Sequence, residues 1–378
     1  MRIAHFGKYA FIRLGGVERH VVDLTTALAR HGLDVTAFVY DPSGRAEPYV
    51  DHGVRIEPVP TWITLSSQSI SPALITRSRR RALDRRFDVI HQHWPDPFAH
   101  LAASLVPGNP AHVVTWHMDI VRQRIIRPMY HALGPRLLAP PNAIVASTQA
   151  HFTSNQVDRF APPDRRHVIP FGINARPFEP SEQLSRTARE IRARFGGGPL
   201  VFALGRHVYY KGFDVLIRAM EQVPATLLLG GEGPLTDTLK RLARERSVRI
   251  EFLGSIPDRD LPAYFHACDV FCFPSVARTE AFGLSQAEAM ACGKPVVNTE
   301  LGNGVNELAP HDVCALTVPP SDEHRLADAL TRIIMQPSLA ARLGSAGRDR
   351  ILKLYSVEVM IKRLVDLYES LLRVCVRR

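Results

Sequence analysis

A strand, a glycine turn, a helix and a second strand follow one another in residues 2–40, RIAHFGKYAFIRLGGVERHVVDLTTALARHGLDVTAFVY. The apolar run Ile3-Ala4-His5-Phe6 predicts the first strand, and Gly15-Gly16 interrupts the chain after it. Apolar residues at helical spacing from Val17 to Ala29 predict the helix, and Val35 to Tyr40 predicts the next strand. Two short apolar strands joined by a helix predict a parallel, doubly wound α/β sheet covered on both faces.

The same alternation continues along the chain as far as residues 171–180, which look like a domain junction, and starts afresh after residues 196–199. We therefore predict two doubly wound domains, residues 1–174 and 175–357, with an amphipathic helix at about 358–378 that packs back near the first domain. Ligands of open α/β sheets bind beyond the carboxyl ends of the strands. We expect a cleft between those edges, and binding residues in loops that directly follow strands.

The bulk composition is that of an ordinary globular enzyme, with 46% hydrophobic and 22% charged residues among 378. No apolar run is long enough for a transmembrane helix, and the first residues lack the pattern of a signal peptide. The five cysteines are odd in number and form no CxxC pair. A reduced, cytoplasmic location is expected.

The positive charge is concentrated in the first half of the chain. Residues 1–180 hold 21 Lys and Arg against 14 Asp and Glu, which is +7 of the total +10. Much of this excess lies in the basic stretch Arg77–Arg86. The stretch fits a solvated helix face, and it equally fits a patch that meets anionic lipid headgroups. No nucleic-acid motif accompanies it, so we expect no nucleic-acid partner.

Two cations lie in the glycine-bounded loop 205–212, GRHVYYKG, which follows the predicted strand 200–204. Arg206 can grip phosphate oxygens with two parallel hydrogen bonds, and Lys211 can act as a point charge. A helix predicted to begin near Phe213 adds its positive N-terminal end. The loop suits a diphosphate, although both side chains also fit a plain surface role.

Two carboxylates frame residues 280–288, EAFGLSQAE, after the predicted strand 270–273. Ser285 predicts an N-cap, and Glu288 three residues later completes a capping box that accounts for it locally. Glu280 precedes the helix and has no such local explanation, so we expect it to accept hydrogen bonds from sugar hydroxyls. The backbone N–H groups of this helix start are expected to meet the sugar and phosphate: Phe282, Gly283 and Leu284.

Several polar residues at strand ends in the first domain are further candidates. His117 and Asp119 follow the predicted strand 112–114, and His91-Gln92-His93 places two histidines on one strand face without a third metal ligand nearby. We expect His93 and Asp119 to contact an acceptor, and no metal site. Asp258-Arg259-Asp260 has a metal-binding spacing but is interpreted as a helix start. Gly16 belongs to no GxGxxG fingerprint, which argues against an NAD-dependent oxidoreductase.

Taken in order, these motifs resemble the GT-B family 4 glycosyltransferases, and the match extends through Gly231-Glu232-Gly233-Pro234-Leu235 and the residues after Glu288. The resemblance implies two Rossmann-like domains facing across a cleft, with the acceptor held mainly by the first and the donor by the second. It also implies retention of configuration and no essential metal or cofactor. By the family's motifs, Arg206 and Lys211 hold the donor diphosphate, Glu280 the donor sugar and Glu288 the ribose, Gly16 allows close backbone approach, and His117 lies beside the reacting sugar.

Local phrases at 91–95, 117–122 and 298–305 look most like bacterial mannosyl- or rhamnosyltransferases of O-antigen and exopolysaccharide assembly. That resemblance implies GDP-mannose as donor, a glycan or polyprenyl-diphosphate-linked acceptor, and a peripheral position on the inner face of the cytoplasmic membrane. Asn303 and Asn306 depart from the pattern, where a small residue and a proline are expected. Two alternatives remain open: a nucleotide-sugar 2-epimerase of the same fold, and a non-catalytic sugar-nucleotide-binding homologue.

Overall fold

The computed structural model describes residues 1–7, 16–65, 68–117, 140–153, 157, 162–280 and 282–376. The chain divides into two compact units, one of Met1–Gly172 with Val357–Arg378 and the other of Ile173–Ser356. Each unit contains one large, mainly parallel sheet with helices on its faces. This architecture confirms the doubly wound α/β class predicted from the sequence.

The described strands and helices of the N-terminal unit, before its last helix, are β1 (Arg2–Gly7), α1 (Gly16–Arg30), β2 (Asp34–Asp41), β3 (Tyr49–Asp51), β4 (Val54–Pro60), β5 (Ile63–Leu65), β6 (Gln68–Ile70), α2 (Pro72–Asp84), β7 (Val89–Trp94), α3 (Pro97–Ser104), β8 (Ala111–Trp116), β9 (Ala143–Ala146) and β10 (Arg166–Val168). The eight-stranded sheet has the order β10-β9-β8-β7-β1-β2-β4-β3. Among the described strands of this sheet, only β3 runs antiparallel to its neighbour, and β5 and β6 form a separate antiparallel pair. Because β1 lies between β2 and β7, the strand order reverses there, which is where such sheets bind ligands.

The two faces of this sheet carry separate hydrophobic cores, because side chains along a strand alternate between faces. Ile3 belongs to the core formed with α1, whereas its neighbour Ala4 belongs to the core formed with α2 and α3. All six residues of β7 are buried, including two histidines and a glutamine. Polar side chains of β7 therefore point into packed protein, where each needs a hydrogen-bond partner.

The elements of the C-terminal unit are α4 (Glu182–Arg194), β11 (Leu200–Leu204), α5 (Phe213–Ala219), β12 (Thr226–Gly230), α6 (Thr236–Glu245), β13 (Ile250–Gly254), α7 (Leu261–Ala267), β14 (Val270–Phe273), α8 (Leu284–Ala291), β15 (Val296–Thr299), α9 (Gly304–Leu308), β16 (Ala315–Val318), α10 (Glu323–Met335) and α11 (Pro337–Leu354). Their six strands are all parallel, in the order β13-β12-β11-β14-β15-β16. The chain moves outward from β11 in one direction and from β14 in the other, so the switch point lies between these two strands.

The last helix, α12 (Val357–Val376), belongs to the N-terminal unit. Its Met360, Leu364 and Tyr368 join the hydrophobic core that also contains α1. The boundary between the units, after Gly172, lies two residues before the one predicted from the sequence. Among the described residues, no helix combines the length and the apolar character that crossing a bilayer requires.

Candidate active site

Two loops of the C-terminal unit flank its switch point. Residues 205–212 follow β11 and residues 274–283 follow β14, and these strands pair directly. The carboxyl ends of both strands therefore deliver their loops to the same edge of the sheet. The sequence placed Arg206, Lys211 and Glu280 in these loops, and the structure brings Lys211 and Glu280 together.

Close backbone packing fixes the loop 205–212 on both sides. On one side, Gly231 has φ +104°, and a Cβ added there would lie 2.1 Å from the carbonyl oxygen of Gly205. On the other, Gly212 has φ +65°, and a Cβ there would lie 2.1 Å from the carbonyl oxygen of Pro274. Only glycine fits both positions, because any side chain would overlap backbone atoms. The Val276 N–H also donates to the Tyr210 carbonyl at 2.8 Å.

Lys211 and Glu280 form a largely buried ion pair. Lys211 Nζ lies 2.5 Å from Glu280 Oε2, and the two side chains are 14% and 15% exposed. The lysine stem runs beside Gly205, and its ammonium lies 4.9 Å from the centre of the Phe273 ring. Glu280 has no explanation in its neighbouring sequence, as expected, and the structure makes it the counter-ion of the distant Lys211.

Arg206 differs from Lys211 in its surroundings. Its side chain is exposed, and within the described residues it forms no ion pair or side-chain hydrogen bond. The Arg206 carbonyl accepts a hydrogen bond from the Val208 N–H at 2.9 Å, which tightens the turn behind it. A guanidinium displayed by a rigid turn at the switch point suits an anionic ligand.

The helix that carries Glu288 begins differently from the sequence prediction. Helix α8 starts at Leu284, and Gly283 is its N-cap residue in the left-handed conformation, φ +84° and ψ +62°. Ser285 lies inside the first turn, so the predicted capping box is wrong. Glu288 is 8% exposed in the second turn, and its presence is not explained by capping. The ribose assignment of Glu288 stays a prediction.

The first turn of α8 supplies backbone donors near Glu280. The Gln286 and Ala287 N–H groups bond to the Gly283 carbonyl, whereas those of Leu284 and Ser285 have no such partner among the described residues. Phe282 is 3% exposed, and its ring packs 6.0 Å from that of Tyr355. The side chain of Phe282 is therefore part of the hydrophobic core. Only its backbone N–H remains for the predicted contact with the donor substrate.

Two asparagines, which depart from the family pattern, hold the neighbouring loop. Asn303 caps α9 by accepting from the Val305 N–H at 3.1 Å, and its Nδ2 donates to the Glu280 carbonyl at 2.7 Å. Asn306 Oδ1 accepts from the N–H groups of Leu301 and Gly302 at 2.8 and 2.9 Å. Sequence reasoning did not connect Asn303 with Glu280, because that contact depends on β14 and β15 being neighbours.

The candidate residues of the N-terminal unit gather around β1, β7 and β8. His117 directly follows β8 and is 4% exposed, and Gly16 is the first residue of α1. Asp119 lies outside the described residues, so its predicted acceptor contact stays a prediction. His91 and His93 share one face of β7, as expected, with stacked rings 4.9 Å apart.

Five buried histidines form a cluster in this unit, and sequence reasoning singled out only three of them. His5 on β1 and His20 on α1 join His91, His93 and His117. His5 on β1 lies opposite His91 on β7 in the parallel register. This pairing becomes visible only once β1 and β7 are known to be neighbours. Burial lowers the pKa of both His5 and His20 to about 3 and holds those of His91 and His93 well below the ordinary value. These rings are therefore neutral at neutral pH.

His93 is 2% exposed and its ring stacks on those of His5, His91 and His117. Its predicted acceptor contact stays a prediction. His91 hydrogen-bonds Tyr368 Oη at 2.5 Å and Thr115 Oγ1 at 2.6 Å. The described residues contain no group of three or more His, Cys, Asp or Glu placed to hold a metal ion. Asp260 immediately precedes α7, which confirms the helix-start interpretation of the DxD spacing.

Comparison with known proteins agrees with this arrangement of loops. Residues 14–176 match the family model described as Glycosyltransferase Family 4, and residues 185–350 match Glycosyl transferases group 1. The D-rhamnosyltransferase WbpZ of Pseudomonas aeruginosa is 30% identical over 94% of this chain and 92% of its own. This chain belongs to the family 4 glycosyltransferases.

A second relative, the O-antigen chain mannosyltransferase C of Escherichia coli, is 29% identical to this glycosyltransferase over 98% of the chain and 99% of its own. The predicted resemblance to mannosyl- and rhamnosyltransferases is thereby confirmed. Among solved structures, Anabaena Alr3699/HepE in complex with UDP-glucose superposes with a TM-score of 0.76 and 20% identity, covering 98% of this chain and 100% of that one. At that identity the likeness establishes the shared GT-B fold.

Proposed function

We propose that this glycosyltransferase moves a hexose, mannose in particular, from GDP-mannose to a glycan or polyprenyl-diphosphate-linked acceptor in cell-surface polysaccharide biosynthesis. The O-antigen mannosyltransferase and the D-rhamnosyltransferase that resemble it over nearly their whole lengths support the sugar and the pathway class. The observation that carries the donor site is the Lys211–Glu280 ion pair at the switch point, with Arg206 exposed on the same loop.

The ion pair suits a ligand that joins a diphosphate to a sugar. An ammonium has three donors, and Glu280 occupies one, so Lys211 retains donors for phosphate oxygens while staying in place. Glu280 retains lone pairs for sugar hydroxyls. Arg206 adds a second cation, and the α8 N–H groups of Leu284 and Ser285 add neutral donors. A single nucleotide-sugar could therefore bind Lys211 through its diphosphate and Glu280 through its sugar hydroxyls.

The same groups support departure of the nucleoside diphosphate. Negative charge grows on the leaving phosphate as the bond to the sugar breaks, and fixed donors placed there stabilise the transition state. Arg206, Lys211 and the α8 N-terminus supply that stabilisation from protein groups, which supports a metal-independent reaction. We propose retention by attack on the face from which the diphosphate leaves, with the departing phosphate accepting the proton of the acceptor hydroxyl.

A donor screen tests this function directly. Thermal unfolding is followed with GDP-mannose, UDP-glucose, GDP and UDP, since a ligand at a hundredfold excess over its Kd stabilises the fold by about 2.7 kcal/mol. The stabilising donor is then incubated with a polyprenyl-diphosphate-linked sugar. We expect stabilisation by GDP-mannose and a glycosylated product. Epimerised free donor without product would instead identify an epimerase, and donor binding without either reaction a non-catalytic homologue.

We further propose that the basic stretch Arg77–Arg86 contacts an anionic membrane surface. Fewer of its arginines are available for this contact than the sequence suggested. Four of the six arginines in this stretch contact protein groups. Arg77 and Arg79 on α2 donate to backbone carbonyls, Arg81 pairs with Glu57, and Arg85, which directly follows α2, pairs with Asp34. Arg80 and Arg86 are exposed and have no ion pair within the described residues. Leu83 is 76% exposed three residues from Arg80, so an apolar side chain and a cation share one helix face.

Vesicle sedimentation tests this contact. Wild type is compared with Arg80→Gln/Leu83→Ser and with the control Arg186→Gln, which removes an exposed arginine from α4 in the other unit. We expect binding to vesicles that contain anionic lipid, weakened in the double variant and unchanged in the control. Equal partitioning of the wild type with neutral and anionic vesicles would contradict the proposal and show that α2 is an ordinary solvated helix.

A further inference from the structure

A pocket in the N-terminal unit lies at the amino ends of its central parallel strands. It is open to solvent, holds about 350 Å³ and is bounded by β1, β2, β4, α2 and the residues that follow α2. We call it the arginine pocket, and its charged lining residues are Arg2, Asp34, Arg55, Arg81 and Arg85. His117 follows the carboxyl end of the parallel strand β8, so the arginine pocket lies at the opposite edge of the same sheet.

The pleat of the sheet brings these side chains to one face. Ala4 on β1 and Phe38 on β2 belong to the core that α2 and α3 cover. Because side chains alternate along a strand, Arg2 and Thr36, each two residues earlier, face the same side. Arg55 lies opposite Thr36 in the parallel register of β2 and β4. Residues distant in sequence therefore meet under α2.

Two ion pairs hold the side of the pocket nearest α2. Arg81 Nη2 lies 2.7 Å from Glu57 Oε1, and Arg85 Nη2 lies 2.7 Å from Asp34 Oδ2. Glu57 is buried, whereas both arginine side chains are about two-fifths exposed. A guanidinium has five N–H donors, so each arginine is anchored by a carboxylate and retains donors for a ligand.

Arg2 and Arg55 carry the excess positive charge of the pocket. In the described part of the chain, neither side chain has an ion pair or a hydrogen bond, and Arg55 Nε is buried. Buried N–H donors in folded proteins are nearly always matched, so this one calls for a partner that the described protein groups do not supply. Asp88 accepts from the Arg2 backbone N–H at 2.7 Å but does not line the pocket.

The charge of the pocket points to a dianion. Four arginines stand against two carboxylates, those of Asp34 and Glu57, which leaves a net charge of +2. Thr36 adds a hydroxyl that makes no hydrogen bond with the described residues, and the mostly buried ring of Phe87 adds an apolar wall. An apolar wall strengthens the attraction between the guanidiniums and an anion, because it excludes water.

We propose that the arginine pocket binds a phosphate monoester group. Such a group carries about −1.5 to −2 charges at neutral pH and accepts hydrogen bonds through three oxygens. Guanidinium groups match those oxygens with pairs of parallel N–H donors. A lipid headgroup and a small phosphorylated solute share this chemistry. The pocket is separate from the loops that carry Lys211 and Glu280, and its ligand does not depend on the proposed sugar transfer.

Inorganic phosphate is the first probe of the pocket. Protein labelled with ¹⁵N-arginine is titrated with sodium phosphate at constant ionic strength, and the Arg55 Nε–Hε signal is followed by ¹H–¹⁵N correlation. The signal is assigned from its loss in Arg55→Gln. We expect a saturable shift with phosphate and none with chloride. A signal that does not move, or that chloride moves equally, would overturn the proposal without any variant having to fold.

Calorimetry measures the contribution of single arginines. The titrations use Arg206→Ala as the background, because phosphate also suits the proposed donor loops. Arg2→Gln and Arg55→Gln should each raise the Kd for phosphate on the order of tenfold or more, since each removes charge-assisted hydrogen bonds. The control Arg30→Gln removes an exposed arginine from α1 and should leave the Kd unchanged. An unchanged Kd in both pocket variants, with folding confirmed by urea denaturation, would contradict the site.

Two further arms distinguish the sources of the phosphate. Vesicles that contain phosphatidic acid present a phosphate monoester, whereas those with phosphatidylglycerol present only a diester. If a lipid headgroup is the ligand, Arg55→Gln should weaken binding to the first vesicles alone. If a solute is the ligand, glycerol 3-phosphate should shift the Arg55 signal, and Arg55→Gln should bind both vesicles as wild type does. Failure of wild type to respond to either monoester would overturn the proposal.

Discussion

Lys211 Nζ lies 2.5 Å from Glu280 Oε2, although the two residues leave different strands, β11 and β14. The ion pair joins the two loops that flank the switch point of the C-terminal sheet. Because both side chains are about one-seventh exposed, removing either charge leaves the other largely buried and unpaired, which is costly. The pair thus stabilises the loops and sets a cation beside a carboxylate where the donor is proposed to bind.

Arg206→Ala should weaken donor binding with little effect on folding, because Arg206 is exposed and forms no ion pair with the described residues. Loss of charge-assisted hydrogen bonds to a diphosphate is expected to cost about 1.5–3 kcal/mol, or roughly tenfold to a hundredfold in donor Kd. Arg206→Lys keeps the charge but loses the two-pronged grip, so it should lie between. Calorimetric titration with donor measures both variants, and an unchanged Kd in Arg206→Ala would remove Arg206 from the site.

Gly212→Ala should disrupt the loop that carries Lys211, whereas Gly196→Ala should not. Both glycines have positive φ, +65° and +84°, which costs alanine roughly 1–2 kcal/mol. Only at Gly212 does the new Cβ also collide with a backbone carbonyl, that of Pro274. Urea denaturation should show the larger loss for Gly212→Ala, together with loss of donor binding. Equal effects of the two substitutions would mean that this packing is unimportant.

Asn303→Ala should lower activity by releasing the Glu280 loop. The matched control is Asp322→Ala, which removes the N-cap of α10, where Asp322 Oδ1 accepts from the Arg325 N–H at 2.9 Å. Both variants should lose about 1 kcal/mol of stability, the usual cost of a lost cap. Steady-state kinetics should show reduced turnover only in Asn303→Ala. Parallel kinetic effects would show that Asn303 acts through stability alone.

The histidine cluster should make stability fall as the solution is acidified. Burial lowers the folded-state pKa of His5 and His20 to about 3, so the unfolded chain binds more protons below pH 6.5. The stability that these neutral rings contribute is present above pH 6.5 and is lost progressively as pH falls toward 3. Each ring steepens the loss by up to about 1.4 kcal/mol per pH unit.

Chemical denaturation at pH 7.5, 6.5, 5.5 and 5.0 measures that slope. His20→Phe, which removes one titrating ring and keeps an aromatic beside Phe171, should show a shallower slope than wild type. A slope in His20→Phe equal to that of wild type would mean that His20 does not stay neutral in the folded protein.

The fold was predictable from the sequence because its signals are local. The strands β11 and β14 begin and end where the apolar runs 200–204 and 270–273 do. Both runs are short, buried on both faces and followed by glycine- or proline-containing loops, as central parallel strands are. The order of the motifs along the chain then matched the family 4 glycosyltransferases, whose members share sugar transfer as their reaction class.

The contacts within the site were not predictable, because they depend on which strands are neighbours. The Lys211–Glu280 pair requires β11 beside β14, and the contact between His5 and His93 requires β1 beside β7. The capping error has a different cause. Ser285 and Glu288 have the right spacing for a capping box, but the left-handed Gly283 is the N-cap residue, two residues earlier than that pattern requires.

The central claim, retaining transfer of mannose by a site built around Glu280, is tested most directly by the anomeric configuration of the first product. GDP-α-mannose and a polyprenyl-diphosphate-linked sugar are incubated with wild type and with Glu280→Gln, using Glu245→Gln on the exposed face of α6 as control. We predict that NMR shows an α-linked mannosyl product from wild type and control, with kcat/KM lowered a hundredfold or more, about 2.7 kcal/mol, in Glu280→Gln. A β-linked product, or full activity without the Glu280 carboxylate, would contradict the account.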